Sequence, residues 1–210
     1  LGFSGFVMAF TNFAVQVVCN SVLSSYGGDL YVGVMTALSS IREVVSLPVQ
    51  GLTGAAEPVL GFNYGARKMQ RVRQGIRFIS VCALAYSLLM WGIIRGMPGP
   101  LIRIFNKEDH LVQTAVPALG IYFATFFMMA LQFAGQSTFV SLGKSKQAVF
   151  FSIFRKVIIV VPLTILLPKL SYFGVNGVFW AEAISNVIGG IACYGTMYVT
   201  VYRPLGQQTG

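Results

Sequence analysis

Six polar residues in one stretch, Ser39, Glu43, Ser46, Gln50, Thr53 and Glu57, recur at steps of four, three, four, three and four. On a helix that spacing places all six on one face. Two are carboxylates, the groups that hold cations and protons, and the hydroxyls and amides between them supply neutral donors and acceptors that orient a small solute. Asn12, Gln16 and Asn20 repeat at four-residue steps, a third face carries Thr125, Met129, Gln132 and Gln136, and a fourth carries Glu182 and Asn186. Arg42 stands directly before Glu43 and cannot face it on a helix. It needs another partner, a route outward, or an anionic group on a neighbouring segment.

These residues sit in apolar runs, where ionisable and amide side chains are expensive and turn toward a bundle interior or a wet cavity. The plainer reading of any single amide or hydroxyl is helix adhesion, through hydrogen bonds of about 0.6 to 2 kcal/mol. Adhesion needs one or two polar contacts and no acids, so the long stripe is read as cavity lining. Glu57 precedes Pro58 near the end of its run, where pairing with a loop arginine competes with a functional role. Glu182 lies beside Trp180 about a turn inside its helix, where exposure to water competes. The candidate cavity set is Asn12, Gln16, Asn20, Arg42, Glu43, Gln50, Glu57, Gln132, Gln136 and Glu182.

The elements that must position this set are long apolar helices. A bilayer core of about 30 Å needs about 20 apolar residues at 1.5 Å each. Such runs occur near residues 3–25, 32–62, 75–97, 113–141, 148–168 and 177–201, leaving 203–210 as a tail. The expected fold is all-α, a polytopic bundle of six transmembrane helices. Breakers separate the runs: YGGD at 26–29, FNYGARK at 62–68, MPGP at 97–100, LGKSK at 142–146 and PKLSYFG at 168–174. Pro48 and Pro58 in the second run and Pro162 in the fifth are expected to break their helices. Gly51 with Ala55, Gly61 with Gly65, and Ala181 with Ser185 and Gly189 have the spacing of close helix contacts.

Alternate loops differ in charge. One side holds ten basic residues, Arg67, Lys68, Arg71, Arg73, Arg77, Lys144, Lys146, Arg155, Lys156 and Arg203, and the other holds Arg95, Arg103, Lys107 and Lys169. Cytoplasmic loops retain the excess, so both termini of the segment are expected in the cytoplasm and the chain in the cell membrane.

Composition agrees with a membrane chain and excludes several function classes. Hydrophobic residues make up 55% of the 210 and charged residues 10%, with mean hydropathy +0.72, where a soluble domain carries roughly 25% charged residues. The net charge of +9 is spread between apolar segments rather than along one face, which points to lipid headgroups and topology, with no nucleic-acid partner. Cys19, Cys82 and Cys193 lie far apart inside apolar runs and read as packing residues. The single histidine, His110, cannot assemble a triad or a multi-histidine metal site within these residues, so an enzyme is not expected. LGKSK lacks the earlier glycine of a phosphate-binding loop, since Thr138 stands there. The chain begins LGFSGFVMAF, without Met and already inside an apolar run, and is read as a piece of a longer protein.

At residues 51–72 the sequence reads GLTGAAEPVLGFNYGARKMQRV. It resembles the segment of multidrug and toxic compound extrusion (MATE) transporters in which a helix ends in an apolar-aromatic-Asn-Tyr-Gly-Ala turn before a basic loop. FVSLGKSKQA at 139–148 and LLPKLSYFGVNGVFWAEAISNVIGG at 166–190 are similar to further turns of the family, in the order of its carboxy-terminal six-helix lobe. The resemblance implies one lobe of a twelve-helix fold, an amino-terminal lobe as partner, and contact with membrane lipid. It implies alternating access that exports drugs or organic cations in exchange for sodium ions or protons, with no cofactor besides the coupling ion. In some branches carboxylates in the first and fourth helices of this lobe hold that ion, whereas here those faces carry Asn12, Gln16, Asn20, Gln132 and Gln136. Either the other lobe holds it, or Glu43 or Glu182 has taken the role. The alternatives are a lipid-linked oligosaccharide flippase of the same superfamily, which would favour an arginine-lined cavity and so makes Arg42 diagnostic, and a non-transporting membrane scaffold.

Overall fold

The computed structural model describes residues 2–207, so residues 208–210 of the expected tail lie outside it. Helix α1 spans Gly2–Gly65 and is interrupted at Gly28, whose φ of 69° and ψ of −169° are non-helical. That backbone position lies in the left-handed half of conformational space, which glycine enters without a Cβ penalty. Asn12 and Ser46 border one cavity, yet a straight helix would hold them about 50 Å apart. The chain therefore folds back at Gly28 into two arms, residues 2–27 and 29–65, and the expected YGGD loop is reduced to a single residue.

The expected breaks at Pro48 and Pro58 are absent, because the second arm stays helical through both. Membrane helices tolerate such prolines when neighbouring groups take up the freed carbonyls.

Helix α2, Met69–Gly96, follows a turn in which Arg67 adopts φ 55°. Val72, Ile76, Ile79 and Ala83 give α2 a buried face at helical spacing. The MPGP segment is not a plain loop: α3, Pro98–Phe105, starts there with proline in its first turn, where no helical N–H is lost. The run expected at 113–141 divides into α4, Asp109–Tyr122, and α5, Phe126–Ser141, bent by 52°. Two hydrogen bonds tie the bend to neighbouring helices, and one of them satisfies a carbonyl at the bend. Trp91 donates its indole N–H to the Ala124 carbonyl at 3.1 Å, and the Thr125 hydroxyl donates to the Ala183 carbonyl at 2.6 Å.

Helix α6, Ser145–Ile153, widens into a π-helical stretch, Phe154–Val160, before α7, Val161–Leu166. Pro162 has no N–H to offer the carbonyl four residues back, and the Val161 N–H bonds instead to the Lys156 carbonyl, five back. Helix α8, Gly177–Met197, passes through a second π-helical stretch, Tyr198–Tyr202, into α9, Arg203–Gln207, where Leu205 is buried.

The described residues contain no strand. Four helical stretches are long and apolar enough to cross a membrane, and the bent α4–α5 pair makes a fifth. The fold-back at Gly28 divides the stretch Phe10–Gly65 and brings the passages to six.

Two large apolar cores and a small cluster of Val49, Ala83 and Ala130 hold the bundle. One joins both arms of α1 to α4, the start of α5 and the start of α8, around Leu23, Leu38, Leu119, Phe123 and Phe179. The other joins α2, the ends of α5 and α8, α6 and α9, around Ile76, Phe139, Met197 and Leu205. Helices α5 and α8 cross where a Cβ on Gly190 would lie 2.5 Å from the Met128 carbonyl oxygen, and one on Gly135 would lie 2.9 Å from Cys193 Sγ. Without a hydrophobic drive between helices in lipid, such close approach supplies the attraction. Among the described residues the expected Gly51–Ala55 contact with another helix does not form, since both are exposed and a Cβ on Gly51 would meet nothing within 4 Å. Gly61, by contrast, meets the Ser141 carbonyl of α5.

Candidate functional site

A cavity of about 390 Å³ opens between the two arms of α1 and helices α5, α6 and α8. Eight of the ten candidates line it: Asn12, Gln16, Arg42, Glu43, Gln50, Gln132, Gln136 and Glu182. Ser39, Ser46 and Met129 line it too. Asn20 and Glu57 are not among its lining residues. For Glu57 the reason is visible beyond Gln50, where α5 closes on the second arm. The Ser137 hydroxyl donates to the Thr53 carbonyl at 2.9 Å, so the stripe there meets a helix rather than open space. Glu57, one turn further on, is half-buried.

The chemistry concentrates on Glu182. Its Oε1 accepts from Arg42 Nη1 and, at 3.1 Å, from Lys156 Nζ, while Arg155 Nη1 lies 3.6 Å away. Arg155 also donates to Asn186 Oδ1, and its Nε has no hydrogen-bond partner. The side chains of Glu182, Arg155 and Lys156 are 6 to 8% exposed, and that of Arg42 is 20% exposed. The Arg42 guanidinium lies 5.6 Å from the Tyr122 ring centroid, over a face that attracts cations. Three cations thus converge on one carboxylate.

Local structure explains how they meet. Arg155 and Lys156 sit in the π-helical stretch ahead of Pro162, where the widened turn leaves both side chains buried toward α8. Gly189 makes room: a Cβ there would lie 2.6 Å from Arg155 Cδ, so only a glycine lets the arginine stem pass along α8. Glu182 and Asn186 are one turn apart on α8 and present their acceptors together. Arg42 reaches across from the second arm, which answers where it finds a partner.

Sequence reading missed Arg155 and Lys156 as site residues, placing them among the basic residues of a loop. They are 6% exposed, so they do not stand in a loop, and eight basic residues then remain on that side against four. Their depth was a usable signal, because they follow the start of the run at 148 by two helical turns, about 10 Å. Asn12, Gln16, Glu43 and Gln50 are exposed along the cavity rim, and Glu43 forms no ion pair among the described residues. Deeper in, Asn20 Oδ1, Ser46 Oγ and Gln132 Oε1 have no hydrogen-bond partner. Among the described residues, no three His, Cys, Asp or Glu side chains gather to hold a metal ion.

Known proteins resemble this arrangement. The profile of the MatE family matches residues 5–166. The multidrug export protein MepA of Staphylococcus saprophyticus is 21% identical over 201 residues, covering 95% of this chain and 43% of MepA. A crystal structure of MATE in complex with MaL6 superposes with a TM-score of 0.91 at 18% identity, covering 99% of this chain and 46% of that one. A structure of the MATE multidrug transporter DinF-BH is 31% identical with a TM-score of 0.81, covering 95% of this chain and 44% of that one. The chain therefore spans less than half the length of these relatives. A profile match over most of its residues, joined to this six-passage helical architecture, shows that the chain belongs to the MatE family of membrane transporters, whose members are not enzymes.

Proposed function

We propose that the chain is the carboxy-terminal lobe of a secondary active antiporter that exports drug-like amphipathic molecules by alternating access in exchange for sodium ions or protons. The observation that carries this reading is the polar cavity. Both arms of α1, with α5, α6, α8 and the π-helical stretch, turn polar side chains into one space, and its rim is exposed along Asn12, Gln16, Glu43 and Gln50. A rim of this kind suits a second lobe across the cavity. The loop charge, recounted without Arg155 and Lys156, still favours cytoplasmic termini in the cytoplasmic membrane. MepA, similar over 95% of this chain, is a multidrug export protein.

The expectation of an organic cation finds thin support on this wall, where Glu43 is an exposed acid and Glu182 is already engaged by three cations. Arg42 in the cavity is also the feature that the flippase alternative needs. Dye efflux by the full-length carrier in vesicles, with the sodium and proton gradients collapsed separately, tests the antiporter reading. An antiporter loses efflux when one gradient is removed. Efflux indifferent to both would sink this reading.

A further inference from the structure

Among the described residues, the charges in the cavity do not balance. Arg42, Arg155 and Lys156 share one acceptor, Glu182 Oε1, and Arg155 Nε has no hydrogen-bond partner. A buried cation is expensive unless paired and hydrogen-bonded, and a single carboxylate can neutralise one of the three. Glu43 adds one charge at the rim, but it is exposed and adjacent to Arg42 in sequence, facing another direction on the helix. The imbalance is also held in place by the fold, since the π-helical stretch carries both basic side chains and Gly189 lets the Arg155 stem pass along α8 into the cavity.

Apart from Glu43 at the rim, the groups around this cluster are neutral donors. Ser39, Gln16 and Gln132 line the same space, and the Tyr122 and Phe133 rings border it. Guanidinium groups present planar pairs of N–H donors that match the oxygens of a carboxylate, sulfonate or phosphate, and a lysine ammonium adds a point charge.

The geometry points to an anionic group, a carboxylate, sulfonate or phosphate, on the transported molecule as what this wall binds, with Arg42, Arg155 and Lys156 as its ligands. Glu182 is the resident counterion that holds the three cations together and in position until the anion arrives, and the aromatic rings take an adjoining flat apolar body. The inference rests on the antiporter reading for the word transported, and on the charge cluster alone for the word anionic.

Two dyes of one xanthene skeleton and opposite charge separate these claims: an anionic fluorescein and a cationic rhodamine ester. Binding to the purified full-length carrier is read by fluorescence anisotropy, and efflux is read in proteoliposomes. The fluorescein is expected to bind more tightly. Lys156→Gln weakens its binding about tenfold, the effect of one hydrogen bond to a charged group. Lys156→Arg, which keeps the charge, restores it, and Glu182→Gln, which removes the competing anion, tightens it. The rhodamine is expected to respond in the opposite sense or not at all.

Tighter binding of the rhodamine, equal changes in both dyes, or no binding of either by a carrier that runs as a folded species on gel filtration overturns the anion assignment. Fluorescein binding that follows these variants while neither dye is exported overturns the transport reading and leaves the anion site standing. The measurement is repeated in nanodiscs of phosphatidylcholine with and without phosphatidylglycerol. If the fluorescein site survives in the neutral lipid and is lost in the anionic one, the occupant is a lipid headgroup, and the assignment to a transported molecule falls.

Discussion

Glu182 carries more of the structure than any other single side chain in the cavity, because three cations lose their shared acceptor if it goes. Removing one partner of a buried ion pair costs about 3 to 5 kcal/mol, most of it the penalty of leaving charge unpaired. Glu182→Ala is therefore expected to lower the thermal unfolding temperature of the purified carrier markedly. Glu43→Ala, which removes an exposed acid outside the ion-pair cluster, is expected to leave it within error. Equal effects from the two would show that the cluster is solvated and that Glu182 is not its keystone. At this scale the sequence was legible where polar residues repeat on one face, and eight of ten candidates reach the cavity. It was not legible for Arg155 and Lys156. A basic pair near a helix end looks the same whether it snorkels to headgroups or turns inward, and the difference lies in a π-helical turn that leaves no direct trace in composition. Nor did periodicity show that the stripe stops lining the cavity after Gln50, since that depends on where α5 crosses.

Among the elements, the crossing of α5 and α8 depends on glycine, and the second arm of α1 shows the opposite case. Gly190→Val would drive side-chain atoms into the Met128 carbonyl, and overpacking of this kind costs about 1 to 3 kcal/mol. Gly51 meets nothing within 4 Å, so Gly51→Ala should stabilise the arm by about 0.5 to 1 kcal/mol through helix propensity alone. Thermal unfolding of the two variants should therefore move in opposite directions, and a loss in both would mean that Gly51 contacts a surface absent from these residues. Helix count was readable because apolar run length is set by the bilayer, but bends were not. Proline pointed to breaks at Pro48 and Pro58 that do not occur, while the bend at 123–125 has no proline of its own and is tied to its neighbours by Trp91 of α2, which donates to the Ala124 carbonyl, and by the Ala183 carbonyl of α8, which accepts from Thr125. Whether a helix breaks depends on who satisfies the freed backbone groups, and that is a tertiary fact.

For the whole molecule, the rim of the cavity sets the strongest demand. Asn12, Gln16, Glu43 and Gln50 are exposed in a bundle whose remaining outer surface carries large apolar side chains such as Phe78, Leu89 and Ile158. Polar groups facing hydrocarbon would each cost free energy, so the rim must face water or a second lobe, and alternating access requires that it face water from one side at a time. A cysteine placed by Glu43→Cys in an otherwise cysteine-free full-length carrier should react with a membrane-impermeant maleimide, and its rate should change several-fold when the ion gradient is reversed. A cysteine placed by Phe78→Cys, on the lipid-facing side of α2, should remain unlabelled under both gradients. Labelling at 43 that ignores the gradient would mean a static wet crevice, compatible with a membrane scaffold and not with a carrier. Labelling that switches with the gradient would tie the exposed stripe of this lobe to the cycle of the whole protein.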